Sequence, residues 1–186
     1  ALLRRLGAVA RERGAIPAAV TFDTHPEKLI LRTPVPLISS PEDRAELMRR
    51  CYGIRDVIVA RFDERMMRMS WQDFITEYLV EGLGAVHLVA GHDFHFGYKG
   101  EGNPERLREK CAALGLGCDI IPAVVQDHIT ISSTYIRNLI AQGEMERANR
   151  FLGHPHTLTD RVAHGKRLGA TLGFPTVNLR FAPGVL

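Results

Sequence analysis

The segment ISSTYIR, Ile131 to Arg137, carries the most explicit chemistry in the chain. Ser132, Ser133 and Thr134 stand at a helix start, where free backbone N–H groups and the positive end of the helix dipole hold anions. Arg137 follows Ser133 by four residues, on the same face and one turn in. Hydroxyl, amide and guanidinium donors in that order suit a triphosphate or a leaving pyrophosphate. The same spacing also describes a plain capping motif followed by a surface arginine.

Three further segments combine unusual residue types. FDTHPEK offers Asp23, His25 and Glu27 as acid, base or ligand to a metal-bound phosphate, and Pro26 stiffens the loop that aims His25. A single histidine after a strand is equally at home as a hydrogen-bonding element of a turn. GHDFHFG joins glycines that permit close backbone approach to Phe94 and Phe96, which can pack on a planar ring. His92, Asp93 and His95 invite a metal reading, but zinc needs further ligands that no spacing here supplies, and a structured loop with an aromatic anchor remains open. In GFPTVNL, Thr176 and Asn178 are two apart and share one face of a strand. Their oxygens suit magnesium and a phosphate, and Gly165 and Gly169 allow the preceding loop to fold over a nucleotide. Alternation with Phe174 and Val177 fits an ordinary strand as well.

The elements that must position these segments alternate regularly. Leu2, Leu3, Leu6, Val9 and Ala10 define one face of a helix that Gly14 closes. Ala18 to Phe22 reads as a strand, and Ser40 caps a helix over 41–52 that ends at Gly53. Asp56 to Phe62 is the second strand, and Ser70 caps a helix from Trp71 to about Glu81. Ala85 to Ala90 is the third strand, before a helix that Asn103 and Pro104 open and that runs to about Leu114. Ile120 to Val125 is the fourth, followed by helices at SSTYIR and GEMERANRFLG. Strands and helices in alternation predict an α/β fold with a doubly wound parallel sheet, whose ligands bind beyond the carboxyl ends of the strands. The loops TFDTHPE, GHDFHFGYKGEGN and ISSTYIR would all lie at that edge.

After Gly153 helix signals disappear. Thr157 to His164 and FPTVNLRF read as strands around the glycine-punctuated GKRLGATLG, so a domain boundary is expected near 153–156. About thirty residues of β structure do not close a core alone. The chain of 186 residues, 45% hydrophobic and 24% charged, has globular composition and excludes disorder as its main state. No apolar run spans a bilayer and no signal peptide opens the chain, so a cytoplasmic location is the default expectation. Cys51, Cys111 and Cys118 lack metal or redox spacing and are expected to be buried, reduced thiols. Residues 151–186 hold Arg161, Lys166, Arg167 and Arg180 against Asp160, a basic tail that favours a phosphate-bearing ligand or is merely solvated. No basic face with interleaved aromatics suggests nucleic acid.

Taken in order, TFDTHPEK, VAGHDFHFGYKGEGN, ISSTYIRNLIAQGEMERANRFLGHP and HGKRLGATLGFPTVNL resemble the bacterial bifunctional riboflavin kinase and FMN adenylyltransferase family, the FAD synthetases. The resemblance covers nearly the whole chain. It implies a Rossmann-like nucleotidyltransferase domain at 1–154, which makes FAD from FMN and ATP. It also implies the start of a β-barrel riboflavin kinase domain at 155–186. By motif it assigns Ser132, Ser133, Thr134 and Arg137 to the phosphates of ATP, with Arg137 and His25 in the catalytic cleft. Asp23, His25, Pro26, Asp93, Phe94 and Phe96 would face the flavin. Thr176 and Asn178 match the kinase motif for magnesium and ATP, with Gly165 to Gly169 as its nucleotide flap. The implied partners are small molecules, ATP, FMN and riboflavin, without nucleic acid or membrane.

Two positions depart from the family pattern, Thr24 for a usual proline and Tyr135 for a common arginine. The resemblance further implies a first strand with an HxGH motif ahead of Ala1, and a kinase base and most of the barrel beyond Leu186. Weak or no turnover is therefore expected of the chain as it stands. The alternatives are a nucleotidyltransferase for another phosphate acceptor, which explains ISSTYIR but not GFPTVNL, and a non-catalytic flavin- or nucleotide-binding module.

Overall fold

The computed structural model describes residues 1–30, 32, 35–163, 165, 173–174, 176–179 and 184–186. The first helix, α1 (Leu2–Arg13), ends where Gly14 turns to φ 63° and returns its N–H to the carbonyls of Ala10 and Arg11. Strand β1 (Ala18–Phe22) pairs in parallel with β2 (Asp56–Ala60), in register Ala18 with Asp56 through Phe22 with Ala60. Between them run the short α2 (Pro26–Ile30) and α3 (Pro41–Tyr52). The Ser40 hydroxyl accepts the N–H of Asp43 and Pro41 opens α3, as the sequence predicts.

A second parallel pair is built the same way. Strand β3 (His87–Gly91) runs beside β4 (Gly117–Ile121), joined through α6 (Pro104–Ala113). Ahead of β3 come α4 (Glu64–Arg68) and α5 (Trp71–Asp73), the latter continuing as π-helical turns over Phe74–Gly82. Phe74, Ile75, Leu107 and Cys111 pack under β3 as the main core. Helices α7 (Ser133–Ala141) and α8 (Met145–Leu152) enclose a second core of Ile136, Leu139, Ala148 and Phe151.

Several expectations need correction. The fourth strand begins at Gly117 and stops before Pro122, three residues ahead of the expected start. Gly117, Cys118 and Asp119 are weak strand formers, and pairing with β3 overrides their propensity. Val125 belongs instead to a hairpin, β5 (Val125–Gln126) with β6 (Ile129–Thr130), whose turn residues Asp127 and His128 take φ of 52° and 61°. Of the two strands expected after Gly153, the paired residues described are β7 (Val162–Ala163) and β8 (Asn178–Leu179). Cys111 is buried, and burial followed by the neighbouring Cys118 pushes its thiol up to about 12, but Cys51 is exposed on the outer face of α3.

The expected single parallel sheet is, among the described residues, two separate pairs. Between β1 and β3 lies an apolar slot of about 1070 Å³, roofed by Leu2, Leu6 and Val9 of α1. An ion pair holds α1 across it. Arg5 Nε donates to Asp119 Oδ2 at 2.8 Å, and His87 Nε2 lies 3.0 Å from the same oxygen. Burial pushes the Asp119 carboxyl up, while the hydrogen bonds from Arg5 and His87 together bring it below its ordinary value. Among the described residues no helix is long and apolar enough to cross a membrane.

Candidate functional site

Both parallel pairs deliver their loops at the same, carboxyl, ends of their strands, and there two distant segments meet. His25 sits just past β1, and Arg137 sits one turn into α7. Arg137 Nη2 lies 3.3 Å from His25 Nε2, and Arg137 Nε donates to the Pro36 carbonyl at 2.8 Å. A guanidinium only donates, so the contact with His25 needs Nε2 unprotonated. Burial first, and the positive charge of Arg137 second, lower the His25 pKa and favour that neutral state.

The start of α7 is built as the sequence predicts. Ser132 is extended at φ −139°, ψ 151°, and its hydroxyl accepts the N–H of Tyr135 at 3.2 Å. That bond uses an acceptor lone pair, so the exposed Ser132, like the exposed Ser133 and Thr134, keeps its O–H as a donor. Ser132→Ala should cost about 1 kcal/mol, read as a fall of roughly 2–4 °C in melting temperature. A Ser133→Ala chain, whose hydroxyl makes no cap bond, should melt like the parent.

The other predicted residues fall into two groups. Asp23 is exposed and its Oδ1 accepts the N–H of Phe62 at 3.0 Å, which ties the loop after β1 to the end of β2. Pro26 begins α2, a short helix where the polar stretch after β1 predicts loop. Asp93 is exposed, Phe94 is half-buried on the slot, and Phe96 is 6% exposed within the core, its ring 5.5 Å from Phe74 and 5.0 Å from Phe94. The bases of both loops therefore line one cavity, through Phe22 and Phe94. Among the described residues no group of three His, Cys, Asp or Glu side chains could hold a metal ion.

Thr176 and Asn178 are exposed, with Asn178 on β8 opposite Ala163. A Cβ on Gly165 would collide with the Asn178 amide, so the glycine is what lets the chain approach that side chain. Gly169 lies outside the described residues.

Arg44 was missed by motif reasoning. From the first turn of α3 its Nη1 donates to the hydroxyl of buried Thr21 and, at 3.3 Å, to the carbonyl of Phe22. One signal was available. A cation in the first turn of a helix opposes the helix dipole, and such a position asks for a reason.

Two family models match the chain, one described as FAD synthetase over residues 1–135 and one described as riboflavin kinase over residues 152–186. Relatives named bifunctional riboflavin kinase/FMN adenylyltransferase include one from Listeria monocytogenes, 37% identical over 182 residues, 97% of this chain and 57% of that protein. One from Bacillus subtilis is 34% identical over 92% of this chain and 54% of its own length. One from Escherichia coli is 31% identical over 96% and 57%. The chain thus spans little more than half the length of these relatives. A solved structure from Streptococcus pneumoniae, described as a macrolide-efflux protein, superposes with a TM-score of 0.83 at 28% identity, over 100% of this chain and 60% of that one.

Proposed function

Because the chain belongs to the FAD synthetase family, we propose that it carries the adenylyl-transfer chemistry of FAD formation, joining the AMP part of ATP to FMN with release of pyrophosphate. The observation that carries this reading is the meeting of Arg137 with His25, 112 positions apart, at the carboxyl end of β1. Ligands of open α/β sheets bind at such an end. Residues 1–154 would form a Rossmann-like, doubly wound domain, and 155–186 would open the β-barrel whose complete form phosphorylates riboflavin to FMN.

In this scheme an FMN phosphate oxygen attacks the α-phosphorus of ATP. The new P–O bond forms as the bond from the α-phosphorus to the bridging oxygen breaks, and pyrophosphate leaves with that electron pair. The amides at the start of α7, the Ser132, Ser133 and Thr134 hydroxyls and Arg137 are donors fixed in advance where this charge gathers. His25, neutral, orients the Arg137 fork. Asp23, Pro26, Asp93 and Phe94 border the flavin side, and Phe96 supports Phe94 from below.

Thr176 and Asn178 offer neutral oxygens, the hard donors magnesium takes together with phosphate oxygens and water, and the Gly165 backbone comes close to the Asn178 amide, where a Cβ would meet it. Bound there, magnesium would neutralise phosphate charge. ATP, FMN and riboflavin as the ligands, with a cytoplasmic location and neither nucleic acid nor membrane as partner, complete the proposal.

Chromatographic detection of FAD from FMN and magnesium–ATP tests it, comparing this chain with one extended at both ends to the length of the relatives. FAD from the extended chain supports adenylyl transfer. Absence of FAD from both chains, each folded and binding FMN, would replace it with the binding-module reading.

A further inference from the structure

We infer that Arg44 is a second guanidinium of the site, set to take phosphoryl oxygens of a substrate beside Arg137. Its two described hydrogen bonds both use Nη1. A guanidinium has five N–H donors in a planar fork, so Nε and Nη2 remain without an acceptor among the described residues. Neither atom is sealed away from solvent. No carboxylate of the described residues lies within 4.0 Å of Arg44 or of Arg137, which is equally true of Arg55 and Arg61, but those two are exposed.

Arg44 is also half-buried, and burial lowers its pKa. Glu42 acts on it only from beyond 4.0 Å, and a charge held partly out of water with so distant a counter-charge is costly unless an anion completes it. Its anchors, Thr21 and the Phe22 carbonyl, fix the fork at the end of β1, three residues before His25. The charge of Arg44 acts on that imidazole together with that of Arg137. Glu27 lies 3.9 Å from His25 Nδ1, the other ring nitrogen, and the two guanidiniums, neither within 4.0 Å of a carboxylate of the described residues, offer a receptor for a multiply charged anion.

The identity of that anion rests on the adenylyl-transfer reading. The phosphate monoester of FMN and the phosphates of ATP are its two possible sources. Equilibrium binding of FMN, ATP, riboflavin and inorganic pyrophosphate would be measured on the parent chain, Arg44→Gln and Arg44→Lys. Loss of a charged hydrogen bond should weaken a phosphoryl ligand about tenfold or more in Arg44→Gln. Riboflavin, which has no phosphate, should bind unchanged, and Arg44→Lys should recover part of the loss. A change confined to FMN assigns Arg44 to the acceptor, and one confined to ATP assigns it to the donor.

Pyrophosphate weakened in Arg44→Gln, with no FMN or ATP binding to any form, would keep the anion site and remove the adenylyl-transfer reading. Unchanged binding of every phosphoryl ligand would overturn the inference. So would equal weakening of riboflavin, which marks a role only in holding Thr21, or a parent chain that binds no phosphoryl ligand.

Discussion

Replacing Arg137 by alanine is expected to lower FAD formation by about a hundredfold or more, in a chain extended to both domains, while riboflavin phosphorylation continues at the parent rate. Removing one preorganised donor from a developing oxyanion costs roughly 3–4 kcal/mol of barrier in other enzymes. Arg137 reaches the site already held, with Nε on the Pro36 carbonyl and Nη2 at His25. Arg137→Lys should recover only part of the rate, because an ammonium lacks the planar fork. A second readout separates chemistry from folding. Arg137 lowers the His25 pKa, so its loss should move that pKa back toward its ordinary value, seen as an upward shift of the imidazole titration by NMR. Equal loss of both activities would instead mean local misfolding.

Gly97→Ala should be the most destabilising single methyl group added to the loop after β3. Gly97 holds φ 75° and ψ −179°, a region closed to side chains, and a Cβ there would stand 2.5 Å from the Trp71 Cα and 2.6 Å from its nitrogen. Backbone atoms do not rotate away as a side-chain tip does. Conformational strain and overpacking together should cost about 3 kcal/mol or more. For a chain of this size that is a fall of roughly 6–12 °C in melting temperature, measured by circular dichroism. The adjacent Tyr98 N–H donates to the Met69 carbonyl at 2.7 Å, so displacement would spread to the turn before α5 and to the support beneath Phe94.

What the sequence disclosed was the chemistry that depends on local order. Ser40 with Pro41, Ser70, Asn103 with Pro104, and Ser132 each accept the backbone N–H that their spacing foretells, since a cap is a contact between residues three apart. The β1 strand and the positions of His25 and Arg137 at element ends were legible for the same reason. The start of β4 was not, because Gly117 enters the ladder through His87, thirty residues away. The hairpin at Asp127 and His128 escaped notice for want of glycine, as both residues take positive φ without one. Arg44 belongs to no local motif at all. Its meaning arises where the first turn of α3 crosses the end of β1, a tertiary fact.

The slot between the two strand pairs has a bearing on handling as well as on shape. Ala18 and Val20 of β1 are exposed, and neither β1 nor β3 pairs on its slot side among the described residues. Unpaired strand edges beside apolar surface are templates for any extended segment that diffuses past. Among the described residues those two edges face one apolar slot, and an extended segment of an unfolded neighbour added there is the expected start of aggregation. Crowded, warm or concentrated solutions favour that kind of pairing.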